Sequence, residues 1–394
     1  MDANVKWQGG GWRTSVEGKG GRVEGKEIKD PPDVGNTCVA ALALIRAGNT
    51  PKEGKYSNQL ARAIDFIQKH VEAADNDSLY VTPVRDTQLQ SKIGNYVDTF
   101  LAAMVMSELK GQMGDSKSEE RLFAALNKTI KKIESNQQAD GTFANNSGWA
   151  CVLSQGLCSK ALSRAAGKGV AVKAQTIDRD LKQSVAQLDS SKATATSAPG
   201  ESTRASGRTS GVALSGRGIL PSSIGGRADA GVELYSLSAN GARIQDAVNS
   251  NLSRKGRAEA TINNPTADEK SKAAARGELK EVMDAEVANV AAVKQLSESL
   301  GDKRFLRGFG NNGGEEFLSY MNISETMLAQ GGEAWEKWDK QACETIAKIQ
   351  NSDGSWSGHH CITGRTFCTS AALLTMMADR APLPVVAAHQ PTAK

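Results

Sequence analysis

The fold is decided by two similar stretches, Gln137-Gln138-Ala139-Asp140-Gly141-Thr142-Phe143 and Gln350-Asn351-Ser352-Asp353-Gly354-Ser355-Trp356. Each stretch ends a segment of helical periodicity and precedes a second helical segment rich in small apolar residues. A degenerate third copy near the start, Trp7-Gln8-Gly9-Gly10-Gly11-Trp12, keeps the Gln, the glycines and the terminal aromatic residue. A phrase of the form Q-x-x-D-G-x-(F/W) that recurs with its flanking helices marks an internal repeat.

Turn chemistry accounts for each residue type in this phrase. Asp-Gly tolerates the positive φ of a tight turn, and the Gln can bond free carbonyl groups at the end of the preceding helix. The aromatic residue can then pack over the next helical hairpin. We therefore interpret Asp140 and Asp353 as turn residues rather than catalytic acids.

The helical segments are of two kinds. One kind is amphipathic, with apolar residues on one face and Lys, Glu, Gln and Asp on the other, as in Leu60, Ile64, Ile67 and Val71. The other kind opens with glycine and is apolar nearly all round, which requires cover on every side. Segments of this second kind are 35–44, 94–106, 148–162, 231–248, 314–328 and 364–377. Their alternation predicts an all-α fold, an α/α toroid of about six helical hairpins with inner and outer rings.

The composition limits the partners and the location. The chain has 394 residues and a net charge of only +4, with Lys and Arg interspersed among Asp and Glu, so we expect no nucleic-acid partner. No apolar run approaches the roughly 18 residues of a membrane span, so we expect no integral membrane segment. The first residues lack the apolar core of a secretory signal, which favours a cytoplasmic protein, or an exported mature form whose signal has been removed.

The predicted toroid is a single unit over residues 1–380, with one interruption. Residues 189–227 are mostly Ser, Ala, Gly, Thr and Arg, and such a composition cannot bury enough apolar surface to offset its ordering entropy. We therefore predict a flexible insertion there. The tail, 381–394, shows no periodicity and is predicted to be disordered.

The repeats resemble those of the prenyltransferase and squalene-oxidase repeat group, whose members share the α/α toroid of terpenoid cyclases and protein prenyltransferase β subunits. The resemblance covers roughly residues 7–165 and 228–380. It is carried by the two Q-x-x-D-G-x-(F/W) phrases and by Gly364-Arg365-Thr366-Phe367-Cys368-Thr369-Ser370-Ala371-Ala372-Leu373. The resemblance implies the toroid fold, but this fold hosts several chemistries.

The chain departs from both catalytic patterns of this group. Cyclases protonate their substrate with a D-x-D-D motif and line the cavity with aromatic residues, whereas this chain has no such motif and only 5% aromatic residues. The prenyltransferases hold zinc with an Asp, a Cys and a His. Cys368 stands where the family has that His, and the Asp-x-Cys half has no counterpart at 313–318.

A different zinc site can be assembled from local residues. His360, Cys361 and Cys368, with His359 nearby, provide the ligand types of tetrahedral zinc. Two alternatives stay open: a disulfide between Cys361 and Cys368, and a polar loop followed by a buried thiol. We favour the last and expect no cofactor, with zinc as the possible exception.

Equivalent positions in the repeats suggest a polar rim. Asn36, Asp98, Trp149, Glu325 and Cys368 each come just before a helix-opening residue, or at the corresponding place in their repeat, and in a toroid such residues face one end of the central funnel. A few convergent polar groups over an apolar wall are typical of a ligand site. The alternative is that these are helix N-terminal groups, favoured there by the helix dipole.

Two functions are compatible with these observations. The first is a non-cyclising repeat protein that acts as a binding or scaffold module through its funnel or rim, with a protein or a small apolar molecule as partner. The alternative is an enzyme of isoprenoid or lipid chemistry, with Asp98, Glu325 and Cys368 as catalytic residues at the funnel mouth.

Overall fold

The computed structural model describes the backbone of residues 17–18 and 21–22 and residues 32–196, 228–310 and 312–384, with side chains described to residue 189 in the range 32–196. A short antiparallel strand pair, β1 (Glu17–Gly18) and β2 (Gly21–Arg22), precedes them. The thirteen α-helices within these ranges are α1 Val34–Arg46, α2 Ser57–Ala73, α3 Gln88–Ile93, α4 Val97–Leu109, α5 Ser116–Asn136, α6 Val152–Gly167, α7 Ala174–Thr196, α8 Glu233–Asn263, α9 Glu269–Ser299, α10 Lys303–Leu306, α11 Gly314–Gln330, α12 Gly332–Lys348 and α13 Arg365–Met376. A 3-10 turn, Ala378–Arg380, follows. The prediction of an all-α chain is confirmed for the described residues.

Six helices are buried nearly all round: α1, α4, α6, the first half of α8, α11 and α13. Each packs against the next in chain order, and α13 returns to pack against α1. Every residue of α4 is buried, because an apolar helix must be covered on all sides. The glycine-opened segments of the sequence are these inner helices.

The inner helices run in the same direction. The first residues of neighbouring helices contact each other, as where the Gly35 amide donates to Asp98 Oδ1 at 2.8 Å and the Tyr235 hydroxyl donates to Glu316. The last residues also meet, as where Arg46 Nε donates to Glu108 Oε2 at 2.8 Å. We call the end where the inner helices begin the rim, and the end where they finish the base.

The space enclosed by the inner helices is packed. Its lining comes from five of them: Val39, Leu42, Leu101, Met104, Leu157, Leu318, Met321, Phe367, Ala371 and Leu374. The remaining cavity is only about 10 Å³, room for at most one water, and its wall is apolar. The enclosed space is therefore hydrophobic core.

Amphipathic helices cover this core from outside. α2 packs against α1, α5 against α4, α7 against α8, and α12 against both α11 and α13. Each buries one stripe, as α12 does with Trp338, Ala342 and Ile346, and leaves its charged face in solvent. Period-3.6 patterning predicted these faces correctly.

The polar middle of the chain is more helical than its composition suggests. α7 continues to Thr196, inside the predicted insertion of 189–227, and 197–227 lie outside the described residues. α8 and α9 extend as a long hairpin through sequence without a large apolar core. Arg254 of α8 pairs with Asp178 of α7 at 2.9 Å and with Glu278 of α9 at 3.0 Å, which joins the three helices. Of the predicted tail, 381–384 are described and 385–394 are not.

Both repeat phrases form the same turn. Thr142 N donates to Asp140 Oδ1 at 2.9 Å, and Ser355 N donates to Asp353 Oδ1 at 3.0 Å. The glycine after each Asp has a positive φ, +85° at Gly141 and +82° at Gly354, which glycine adopts without steric cost. The interpretation of the two Asp residues as turn formers is confirmed. The Trp7-Trp12 copy lies outside the described residues.

Candidate functional site

The start of α11 and the loop before α13 are pressed together at the rim. A Cβ on Gly314 would lie 2.6 Å from Ile362 Cγ2, so only glycine permits this approach. Backbone hydrogen bonds join the two segments, Gly314 N to Ile362 O and His359 N to Asn312 O, both at 2.7 Å. The loop residues 359–362 are thereby held against the first turn of α11.

Glu315 places a carboxylate in this contact. Its side chain is completely buried, and its Oε2 atom accepts the Ile362 amide at 3.3 Å. Its Oε1 atom is buried and has no hydrogen-bond partner among the described residues, and the Cys361 thiol lies beside the carboxylate. Burial, reinforced by the charge of Glu316, raises the pKa of Glu315 to about 8.

His360 and Cys361 bring two further ligand atoms to this carboxylate. A carboxylate oxygen of Glu315, a ring nitrogen of His360 and Cys361 Sγ all lie within 4.8 Å of one another. Burial and the neighbouring Glu315 raise the pKa of the Cys361 thiol to about 12. Oxygen, nitrogen and sulfur ligands in one group are the donor set of a zinc site rather than a calcium or magnesium site.

Glu316, the next residue, forms hydrogen bonds with neighbouring segments and is not part of the ligand group. It accepts hydrogen bonds from the Tyr235 hydroxyl at 2.5 Å, the Gly313 amide at 2.8 Å and the Phe309 amide at 3.0 Å. Its Oε2 atom also lies 3.4 Å from His360 Nε2. Glu316 thus ties Tyr235 of α8, Phe309 and Gly313 to α11 and orients the His360 ring.

Aromatic rings extend the rim outward. The rings of Trp149 and Phe309 are 4.9 Å apart between centroids, and those of Phe309 and His360 are 5.4 Å apart. Phe309 is 57% exposed, unusual for so large an apolar side chain. Beside it lies an open groove of about 470 Å³, lined by Ala230, Gly231, Val232, Glu233, Leu234, Asp302, Arg304, Phe305, Gly308 and Phe309.

Asn36 and Asp98 lie at the rim and are occupied with local contacts. Asn36 Nδ2 donates to the Asp33 carboxylate at 3.0 Å. Asp98 accepts the Gly35 amide at 2.8 Å and Gln90 Nε2 at 2.7 Å, which joins α1, α3 and α4. Burial and the nearby Asp33 raise the pKa of Asp98 to about 6.

Cys368 is separate from the ligand group. It is fully buried, and its thiol donates to the Ile362 carbonyl at 3.4 Å. Of the three predicted metal ligands, the structure brings His360 and Cys361 together, and Glu315 takes the third place. Cys361 and Cys368 are both free thiols.

Glu325 lies at the opposite end of the molecule from Asp98. α11 begins at Gly314, so Glu325 is in its last turns and not at a helix start, contrary to the sequence expectation. Its carboxylate accepts from Lys160 at 2.7 Å, Arg164 at 2.8 Å and Arg46 at 3.1 Å. Asp98, Glu325 and Cys368 therefore do not form one site.

A second buried carboxylate completes this ion-pair layer at the base. Glu108 binds Arg46 at 2.8 Å and Arg164 at 2.6 Å. Five charged side chains of this layer are at most 4% exposed: Arg46, Glu108, Lys160, Arg164 and Glu325. Burial opposes ionisation, but the charges of Arg164, Arg46 and, for Glu325, Lys160 outweigh it and lower the pKa values of both glutamates. Asp246 is the exception, because burial raises its pKa to about 6 and Lys160 is 3.8 Å away.

Sequence reasoning missed Glu315 and the base layer. Glu315 and Glu316 stand together at the start of an inner segment, where acidic residues are favoured by the helix dipole without any ligand role. The signal for the base was present, since Arg46, Glu108 and Arg164 each interrupt an otherwise apolar helix near its C-terminal end. Charges of both signs at equivalent places in neighbouring buried helices imply pairing.

No family model, curated protein or solved structure matches this chain. Among the described helices, none has both the length and the apolar character needed to cross a membrane.

Proposed function

We propose that this chain is a non-cyclising α/α toroid of six helical hairpins, of the prenyltransferase and squalene-oxidase repeat type, that serves as a binding or scaffold module. The inner helices contact one another in chain order, and α13 also contacts α1. This circular series of contacts supports the ring. The inner helices also run in the same direction, as expected for the inner ring of such a toroid. This common direction gives the molecule two unlike ends, the rim and the base.

The packed centre of the molecule is the observation that favours a binding or scaffold role over an enzyme of isoprenoid chemistry. Ligand cavities usually measure about 300–1,000 Å³. The cavity lined by five of the inner helices is about 10 Å³, which is too small for an isoprenoid chain. The enzyme alternative also needs Asp98, Glu325 and Cys368 together, and Glu325 is at the other end.

The rim offers the binding surface. Its groove of about 470 Å³ combines the apolar Phe305 and Phe309 with the charged Asp302 and Arg304. Exposed aromatic side chains with polar neighbours are typical centres of protein interfaces. We therefore propose a protein segment with an apolar anchor as the partner, seated against Phe309.

Site-specific photo-crosslinking tests this partner directly. A photoreactive amino acid is placed at position 309, and a control at position 123 on α5, where Phe123 is also partly exposed at 39%. We expect one protein to be crosslinked from 309 and not from 123, and its binding in purified form to weaken at least tenfold in Phe309→Ala (about 1.4 kcal/mol). Equal crosslinking from both positions, or unchanged affinity, would overturn the proposed rim surface.

Thermal unfolding with farnesyl diphosphate tests the packed centre. A ligand that binds only the folded state raises the unfolding temperature. We expect no shift at saturating concentration. A saturable shift that persists in Phe309→Ala would place an isoprenoid site away from the rim and favour the enzyme alternative.

A further inference from the structure

We propose that Glu315, His360 and Cys361 form a zinc site at the rim, a property that goes beyond the proposed binding function and does not depend on it. The three ligand atoms already lie within 4.8 Å of one another. Zinc bonds of about 2.0–2.3 Å place tetrahedral ligands about 3.3–3.8 Å apart. Side-chain rotations that close the group by about one ångström therefore complete the geometry.

The choice of metal follows from the ligand atoms. A thiolate and an imidazole are soft or borderline donors, which bind zinc well and magnesium or calcium poorly. His360 and Cys361 are neighbours in a loop, while Glu315 comes from a helix. The ion would thus fasten the loop to α11 across the Gly314 contact.

Glu315 gives an independent reason for a cation at this place. Its side chain is wholly buried, and its Oε1 atom has no hydrogen-bond donor among the described residues. Burying a carboxylate is costly unless it is paired with a cation or bonded to a metal. No Lys or Arg forms an ion pair with Glu315 in the described part of the chain, whereas the buried glutamates at the base have two or three such partners each.

Neighbouring side chains support Cys361 and His360 through hydrogen bonds and close polar contacts, as is common for metal ligands. Gln88 Nε2 donates to the Cys361 carbonyl at 2.5 Å, which fixes the loop from the side of α3. Glu316 Oε2 lies 3.4 Å from His360 Nε2, and a carboxylate on the second ring nitrogen is the usual support of a metal-bound histidine. Tyr235 in turn anchors Glu316.

The coordination is incomplete within this group. Three protein ligands leave the fourth tetrahedral position for water or for a group from another molecule. His360 keeps 18% of its side chain exposed and contacts Phe309, so the open position faces the rim surface.

Titration of the full-length protein with zinc chloride, in competition with a chromogenic chelator, tests the site. We expect one zinc per chain, and a cobalt-thiolate charge-transfer band when cobalt replaces zinc. Glu315→Gln, His360→Gln and Cys361→Ser should each weaken zinc binding at least about 100-fold, since loss of a ligand has a larger effect than the 10–100-fold typical of changes to residues that hydrogen-bond the ligands. The matched controls His359→Gln and Cys368→Ser should remain within about threefold of the unchanged protein.

Several results would overturn this assignment. One is the absence of stoichiometric binding, and another is binding that is lost in Cys368→Ser but kept in Glu315→Gln. Circular dichroism checks the folding of each variant; if the buried Glu315→Gln fails to fold, the partly exposed Cys361→Ser decides the question. Partner binding through Phe309, measured with a chelator present, reports on the proposed function separately.

Discussion

The rim and the base bury the same kind of side chain in opposite electrostatic states. At the base, Glu108 and Glu325 are surrounded by Arg46, Lys160 and Arg164, and their pKa values are lowered. At the rim, Glu315 is equally buried, yet its carboxylate has a free oxygen and a pKa raised to about 8. Burial alone therefore does not reveal what a carboxylate is for; its partners do.

This difference distinguishes buried polar groups that stabilise the fold from buried polar groups that can bind a ligand. At the base, the buried carboxylates of Glu108 and Glu325 pair with basic side chains of neighbouring inner helices. The rim brings a carboxylate, an imidazole and a thiol together next to an exposed aromatic side chain. The buried Oε1 atom of Glu315 has no hydrogen-bond partner among the described residues, and such a buried polar atom points to a ligand.

The largest effect should come from Glu325→Gln at the base. The substitution leaves Arg46, Lys160 and Arg164 with one buried carboxylate fewer, and breaking a buried ion pair costs about 3–5 kcal/mol. Urea unfolding should show a loss of this size, or a protein that fails to fold. The matched control is Glu72→Gln, which breaks an exposed pair with Arg121 and should cost less than about 1 kcal/mol. Equal losses in the two variants would refute the account of the base.

A second prediction concerns the pH dependence of stability through Asp98. Its pKa is about 6 in the folded protein against an ordinary value of 3.8, so the folded state holds the proton more tightly. This contribution is complete below about pH 4 and lost as the pH rises through about 6, a change of about 3 kcal/mol.

The unfolding free energy of the unchanged protein minus that of Asp98→Asn should fall by this amount between about pH 4 and about pH 7. Asp246, whose pKa is also about 6, contributes equally to both proteins and cancels in the difference. Parallel pH profiles for the two proteins would show that the Asp98 carboxyl is not shifted.

Glu315→Gln should behave unlike Glu325→Gln in zinc-free protein. It removes a buried acid that has no basic partner, so stability should stay within about 1 kcal/mol or increase. Chemical unfolding in the presence of a chelator measures this. A loss as large as that of Glu325→Gln would mean that Glu315 has a stabilising partner and would erase the contrast between the two ends.

The smallest effect is predicted for Asp140→Ala in the first repeat phrase. It removes the hydrogen bonds from the Thr142 amide and hydroxyl, at 2.9 and 2.7 Å, and should cost about 0.5–1.5 kcal/mol. Zinc affinity should not change, because this turn is not part of the ligand group. A change in zinc affinity in this variant would show that the repeat turn and the rim are coupled.

Much of the fold could be predicted from the sequence because helix periodicity and glycine positions are local signals. The six inner segments correspond to α1, α4, α6, α8, α11 and α13. In α9, the buried face is not the one that hydrophobicity predicts. Its large apolar Val287 and Val290 are 71% and 67% exposed, while Ala285, Asn289 and Ala292 face the interior. Small residues let α8 approach closely, and Asn289 donates to Gln245 at 2.8 Å, so side-chain size outweighed hydrophobicity.

The candidate site was only partly predictable because it depends on contacts between distant segments. His360 and Cys361 were identified from their ligand types, but local spacing selected Cys368, which belongs to the first turn of α13. Glu315 enters through the Gly314–Ile362 contact, and the sequence contains no local sign of that contact. Glu325 was misplaced because repeat matching put a helix start where α11 is near its end.

Anomalous diffraction at the zinc edge, from a crystal of the full-length protein grown with equimolar zinc, tests the contrast between rim and base most directly. We predict one peak, bounded by Glu315, His360 and Cys361, with the Arg46–Glu108–Arg164–Glu325 layer intact at the other end of a closed ring. A crystal without that peak, or with zinc bound to Cys368 in place of Glu315, would contradict the account.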